Sequence, residues 1–375
     1  MANADRVKQL FLDLLRINSP SRHERGVADY LKSKLEALGF HVEEDDTAEQ
    51  IDGDAGNLIA MLPGTIPGAR SIFLGAHMDT VEPTDKLDIN FDGKTFHSDG
   101  STILGADDKA GIAAIIEGVE SIIESGTEHG DIQIIFNVSE EVGLLGSRKL
   151  DTSKIKASMG YIFDTQKPAA GITVSAPTHE NIIVEITGKA AHAGMAPENG
   201  ISAIVAASKA IARMNLGRID FETTANIGVI QGGKARNIVP DQVTIKAEAR
   251  SRNNDKLTAQ VDHMRSVFQQ EADAMGAKLM FQGEREYTTF RWTENDDIVK
   301  LAVAACGRIG VKPTFQDGGG GSDANTYNSL GIPCVVVGVG YDGAHSHSES
   351  IALEDLVTAS RFASAIIETA AHVEG

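Results

Sequence analysis

Four apolar runs in this chain end in side chains of the metal-binding type, and that arrangement narrows the folds open to it. Ser71–Ala76 leads into His77-Met78-Asp79, and Ile132–Ser139 into Glu140-Glu141. Tyr161–Phe163 leads into Asp164, and Cys334–Val339 leads through Tyr341 to His345. Apolar runs rich in Ile, Val and Phe are the pattern of strands buried on both faces. Helical periodicity recurs between them, in Val7, Leu10, Phe11, Leu14 and Leu15 and in the Ala- and Ile-rich segment Lys109–Ser121. Strands alternating with helices predict an α/β domain with a largely parallel sheet. Parallel strands set their carboxyl ends along one rim, where ligands bind in open α/β sheets. The four endings therefore converge, and Gly105-Ala106-Asp107-Asp108, just ahead of the Ala-rich helix, joins them.

The middle of the chain has another rhythm. Strand Asn181–Thr187, helix Ile201–Met214, strands Asn226–Ile230 and Gln242–Ala249, helix Asp255–Met275 and strand Lys278–Gln282 follow in turn. That order, β-α-β-β-α-β, is a self-contained split unit. The first pattern resumes with helix Asp296–Ile309, strand Pro333–Gly338 and helix Leu353–His372. The expected organisation is a large α/β domain, residues 1–177 and 289–375, interrupted by a small α+β domain, residues 178–288. Near the start, Ser21 and Glu24 stand ahead of Val27, Tyr30, Leu31 and Leu35 in a capping-box pattern.

Composition removes several function classes. With 34 Lys and Arg against 53 Asp and Glu, the formal charge is −19. Nucleic acid and anionic membrane surfaces need clustered cations, so neither is an expected partner. Cys306 and Cys334 stand far apart, outside any CxxC pattern, and read as reduced, buried thiols. The first residues lack the basic and apolar regions of a signal peptide, and no apolar run reaches membrane-spanning length. The expected compartment is the cytoplasm.

Two histidines and at least three carboxylates crowded on one rim would repel or take up protons unless a cation sat among them. Mixed imidazole and carboxylate donors suit Zn²⁺, with Mn²⁺ or Co²⁺ possible. Five ligands exceed one catalytic zinc, whereas two metals sharing a carboxylate fit the count. Glu140 and Glu141 are adjacent and cannot point alike, so one can ligate while the other serves water as general base. Asp79, two residues past His77, can accept its imidazole N–H.

Gly75-Ala-His-Met-Asp-Thr80, Leu104-Gly-Ala-Asp-Asp-Lys-Ala-Gly111, Ser139-Glu-Glu-Val-Gly143 and Ala344-His-Ser-His-Ser-Glu349 resemble the motifs of the dinuclear zinc exopeptidases. That superfamily includes peptidase T, aminoacylases, carboxypeptidase G and succinyl-diaminopimelate desuccinylase. The Gly-Ala-Asp-Asp-Lys-Ala-Gly form is most similar to the peptidase T branch, and the resemblance runs along nearly the whole chain. It implies two Zn²⁺ per subunit, with Asp107 bridging, His77 and Asp164 on one metal, and Glu141 and His345 on the other. It makes Glu140 the general base, Asp79 the partner of His77, and the Asp107-Asp108 peptide a candidate for the cis form. His345 is chosen over His347 because it stands four residues before Glu349.

The small domain carries the resemblance too. Gly188-Lys-Ala-Ala-His-Ala-Gly194 with Pro197 resembles a lid-domain motif whose His, here His192, reaches substrate in the partner subunit's site. Ala235-Arg-Asn-Ile-Val-Pro240 implies a substrate contact for Asn237, and Arg250 matches an Arg that pairs with a peptide carboxylate. Gly318-Gly-Gly-Gly-Ser-Asp-Ala-Asn325 resembles a loop along the substrate pocket, which brings in Gly320 and Ser322. A homodimer through residues 178–288 is implied. Each feature has a plainer reading: His192 as a helix-cap or core histidine, Arg250 as a surface ion pair, the glycines as a flexible loop.

The expected function is metal-dependent hydrolysis of small peptides, releasing the N-terminal residue of tripeptides. The same ligands would serve an amidohydrolase on N-acyl amino acids or a carboxypeptidase on dipeptides. A non-catalytic metal-binding paralogue is a further alternative, against which the intact Glu140 counts.

Overall fold

The computed structural model describes residues 2–372. They divide into two compact units. The larger comprises Met1–Ser175, Arg291–Gly318 and Ser322–Gly375; the smaller comprises Ala176–Phe290 with Gly319–Gly321.

The larger unit is built on a mixed sheet with a parallel centre. Strands Ile132–Asn137, Ile72–His77, Met159–Phe163 and Cys334–Val337 lie side by side in that order, all parallel. Leu58–Leu62 joins antiparallel beside Ile132–Asn137, and Ile172–Ala176 antiparallel beside Cys334–Val337. Every residue of the four central strands is buried, which is why they read as unbroken apolar runs. His77 pairs in register with Asn137, so the ends that carry His77 and Glu140 are level.

Helix Ala106–Ser125 covers this sheet. Its first residues are not helical: Asp107 and Asp108 have extended or irregular backbone angles, and the peptide between them is cis. Gly111 lets the helix approach the sheet, because a Cβ there would fall on the carbonyl oxygen of Phe163. Helices Ala4–Leu15 and Leu353–Ala371 pack against it. Phe11, Ile112, Ile116, Phe163 and Phe362 are fully buried in the shared core, each such side chain contributing about 1.5–3 kcal/mol by burial.

Two features depart from the sequence reading. Ser21 and Glu24 form no capping box: Glu24 itself precedes helix Arg25–Ala37 and makes no side-chain cap. A second, four-stranded sheet of Ile89–Phe91, Thr95–Ser98, Tyr341–Asp342 and Ser350–Ala352 was not anticipated. Its last two strands bracket the segment His345–Glu349 and fix it beside Thr95–Ser98, with Ser350 opposite His97.

The smaller unit has a five-stranded antiparallel sheet, in the order Gly217–Arg218, Thr223–Gly232, Gln242–Ser251, Thr178–Thr187, Lys278–Tyr287. Helices Ala203–Arg213 and Asn254–Met275 pack on it around its own core, which includes Ile182, Val184, Val243 and Phe268. The β-α-β-β-α-β order holds, with the two-residue strand Gly217–Arg218 added. No helix among the described residues is long and apolar enough to cross a membrane.

Candidate metal and catalytic site

The strand ends bring His77, Asp107, Glu141, Asp164 and His345 together. His77 Nε2 lies 3.2 Å from Asp107 Oδ1 and 3.7 Å from Asp164 Oδ1. His345 Nε2 lies 2.8 Å from Glu141 Oε1 and 3.4 Å from Asp107 Oδ2. Asp107 thus turns one oxygen to each histidine. In the sets His77–Asp107–Asp164 and Asp107–Glu141–His345 the donor atoms lie within 4.8 Å of one another. A third such set, His77–Glu140–Glu141, overlaps them.

The chemistry of this donor set fits divalent cations. The ion pairs of Asp107, Asp164 and Glu141 are with the two histidines. Burial pushes the carboxyls of Asp164 and Glu141 above the usual range, and that of Glu140 well above it. Burial acts the same way on Asp107, but hydrogen bonds from His345 and His77 outweigh it and hold its carboxyl low. The bonds to Asp107 and Glu141 push His345 up to about 10. A divalent cation would neutralise carboxylates that burial has stripped of water. Two imidazoles and three carboxylates that share Asp107 match two borderline cations of the Zn²⁺, Co²⁺ or Mn²⁺ kind.

Asp79 meets His77 through both its carbonyl and its carboxylate. The His77 ring meets the Asp79 backbone carbonyl, Nδ1 to oxygen 2.9 Å, while the carboxylate stands 3.4 Å away. That carboxylate also accepts the backbone N–H groups of Glu140 at 2.9 Å and Glu141 at 3.2 Å, and the Ser21 hydroxyl at 2.7 Å. It aims the Glu140–Glu141 turn. His347 turns its Nδ1 to the Gly100 carbonyl, 2.9 Å away, leaving His345 alone of the pair on Glu141.

Three residues make contacts at this site that the sequence reading did not give. Tyr341 Oη donates within 3.2 Å of Asp107 Oδ1 and 3.0 Å of Asp164 Oδ1. Glu349, buried, accepts the N–H groups of Leu104, Gly105 and Asp107. Asp108 accepts the N–H of His77 at 3.2 Å. Glu349 carried a signal in its fixed spacing from His345, and Asp108 in its place beside Asp107.

Of the remaining candidates, His192, Asn237, Arg250 and Gly320 belong to the smaller unit. In the smaller unit His192 is exposed, and its Nδ1 accepts the N–H groups of Gly194 and Met195. The neutral ring therefore carries its proton on Nε2. Its loop pairs with that of Asn237 through Ala193 N–H to Asn237 O, 3.0 Å. Arg250 bonds Glu248 at 2.9 Å and Tyr287 Oη at 3.4 Å, and Gly320 borders its guanidinium. Ser322, in the larger unit, caps helix Asp323–Ser329 in a capping box with Asn325.

Relatives share this architecture. YqjE of Bacillus subtilis, an uncharacterised protein, is 44% identical over 371 residues, covering 99% of this chain and 100% of its own. The crystal structure of aminopeptidase PepT from Bacillus cereus is 42% identical, with TM-score 0.91 and 99% of both chains covered. That of a tripeptidase from Staphylococcus aureus is 39% identical, with TM-score 0.95 and 100% of both chains covered. The resemblance to the peptidase T branch thus holds in structure as well as in motif. The sequence profile of peptidase family M20/M25/M40 matches residues 73–369, and the chain belongs to that family.

Proposed function

We propose that this protein is a dinuclear zinc aminopeptidase that releases the N-terminal residue of small peptides, tripeptides above all. The observation that carries the reading is the division of Asp107 between two His–carboxylate sets, with Glu140 beside them. His77, Asp107 and Asp164 would hold one cation, and Asp107, Glu141 and His345 the other. Bound Zn²⁺, or Co²⁺ or Mn²⁺ in its place, supplies Lewis acidity toward a carbonyl and makes water easier to deprotonate.

Glu140 moves the proton. Its buried carboxylate takes a proton from water as the water oxygen bonds to the scissile carbonyl carbon. As the C–N bond breaks, the same carboxyl returns that proton to the leaving amine nitrogen. Asp79 keeps Glu140 aimed by holding its backbone N–H. In the smaller unit, His192 with its Nε2 proton is assigned to oxyanion stabilisation, and Asn237, Arg250 and Gly320 to the peptide; these assignments rest on the resemblance.

The test is hydrolysis of tripeptides, dipeptides and N-acetyl amino acids, with metal analysis on the same preparation. Preference for tripeptides with about two metals per chain supports the reading. Preference for N-acetyl amino acids would replace it with the amidohydrolase alternative, and metal without turnover on any of them with the non-catalytic one. We also infer a homodimer through residues 178–288; strand Thr223–Gly232, flanked at Thr224 and Ala225 by the two-residue edge strand Gly217–Arg218, exposes Val229 and Ile230 beyond that pairing, which suits strand pairing. A cytoplasmic setting goes with it, in keeping with two buried, unpaired cysteines.

A further inference from the structure

The connection between helices Ala4–Leu15 and Arg25–Ala37 is tied into three of the loops that build the site. Ser19 Oγ donates to the Met78 carbonyl at 2.9 Å, and Thr80 N–H to the Ser19 carbonyl at 3.0 Å. Ser21 Oγ bonds Asp79, and Lys109 Nζ reaches the Ile17 carbonyl at 2.5 Å. The third tie is Glu24, whose side chain is fully buried. Its Oε1 accepts Arg22 N–H at 2.9 Å, Ser139 N–H at 2.9 Å and Ser139 Oγ at 3.0 Å. Arg22 N–H also donates to Ser139 Oγ at 3.0 Å, closing a triangle. Glu24 Oε2 is buried without a partner, so the whole demand falls on one oxygen.

Both residues that donate to it have left-handed backbones, Arg22 at φ +73° and Ser139 at φ +52°. Residues other than glycine hold that conformation when the surroundings impose it. Ser139 is the residue from which the chain turns into Glu140 and Glu141. Asp79 holds the two glutamates' own N–H groups from the other side.

We infer that Glu24 is a positioning residue: its Oε1 holds Ser139 in the left-handed turn that aims Glu140 and Glu141. The inference rests on the roles proposed above for those two glutamates. It sets reach above charge. Glu24→Gln keeps an acceptor oxygen at the same distance from the main chain, whereas Glu24→Asp keeps the charge but withdraws it by one methylene. Supporting side chains of this kind typically affect metal affinity or activity by about 10- to 100-fold.

The experiment combines Glu24→Gln, Glu24→Asp and the double variant Glu24→Asp/Ser139→Gly, each titrated with Zn²⁺ by calorimetry and assayed for kcat and KM on tripeptides. Glycine adopts positive φ without support, so it should restore the turn that Glu24→Asp releases. The expected result is that Glu24→Asp lowers kcat and the affinity of one of two zinc sites by about 10- to 100-fold, with KM little changed. Glu24→Gln should lose less, and the double variant should recover. Equal behaviour of Asp and Gln, or a loss that glycine does not recover, would overturn the inference. If the wild type bound two Zn²⁺ but cleaved no peptide, the peptidase reading would fail while the zinc titrations still decided the role of Glu24.

Discussion

Glu349 accepts the backbone N–H of Asp107 at 2.9 Å, joining residues 242 positions apart. Its other oxygen takes Leu104 and Gly105, so one buried carboxylate holds the approach to the residue shared by both metal sets. Burial pushes its pKa up to about 7. Loss of Glu349 should therefore be felt at both cations, whereas loss of His345 should be felt at one. Zinc titration is expected to give a weakening of about 10- to 100-fold at both sites for Glu349→Ala. His345→Ala should leave one site near wild-type affinity. Equal patterns in the two variants would contradict the sharing of Asp107.

Glu140 should separate binding from chemistry. Glu140→Ala is expected to keep both metals and to lose about 10²- to 10⁴-fold in kcat, the usual contribution of a positioned acid–base group. Metal analysis beside steady-state kinetics checks both halves. Chelation should abolish turnover, with Zn²⁺, Co²⁺ or Mn²⁺ restoring it. Wild-type turnover in the Glu140→Ala variant, or in a verified metal-free sample, would remove the mechanism.

The sequence disclosed the parts of this fold whose cause is local. Central parallel strands are buried on both faces, so they appear as apolar runs, and their endings name His77, Glu141 and Asp164 directly. What stayed hidden depends on distant partners. Ser21 and Glu24 satisfy a helix-cap pattern, and nothing nearby reveals that Glu24 instead meets Ser139, 115 residues on. Strands of two to four residues, such as Tyr341–Asp342 and Ser350–Ala352, are too short to show a period, so the sheet that frames His345 was unreadable. Asp79 was drawn to the site by spacing, but spacing does not reveal that its carbonyl also meets His77 or that its carboxylate holds the N–H groups of Glu140 and Glu141.

His179 gives the smaller unit a pH-dependent stability. Its Nδ1 lies 2.7 Å from Glu286 Oε2 and its Nε2 3.0 Å from Glu248 Oε2. Burial, and the charge of Arg250, oppose the imidazolium, but the two carboxylates outweigh them and raise its pKa above 6.5. The bond from His179 is also the main cause that pulls Glu248 down to about 2. A histidine raised in the folded state adds stability that is complete below its unfolded value and is lost as pH rises through the folded one. Urea midpoints of the intact protein are therefore expected to fall with rising pH above about 6.5 in the wild type, and less so in His179→Gln. Parallel slopes in the two proteins would show that this histidine does not titrate there.

Gly111 and Gly307 both lie inside helices, yet the same substitution should act on them with opposite sign. At Gly307 a Cβ would meet nothing within 4 Å. Alanine there should stabilise by about 0.4–1 kcal/mol, because it restricts the unfolded chain at no cost to the folded one. At Gly111 a Cβ would fall on the Phe163 carbonyl oxygen and the Asp108 carboxylate, and neither can yield freely. Phe163 sits in a central strand, and Asp108 holds the N–H of His77. Alanine at 111 should destabilise by about 1–3 kcal/mol, the usual effect of forcing atoms into a filled core. It should also weaken zinc binding, since the strand it displaces ends in Asp164. Denaturation midpoints and zinc titration on both variants check this. A Gly111→Ala protein as stable as the wild type, with its zinc affinity intact, would mean that the helix does not approach the sheet this closely.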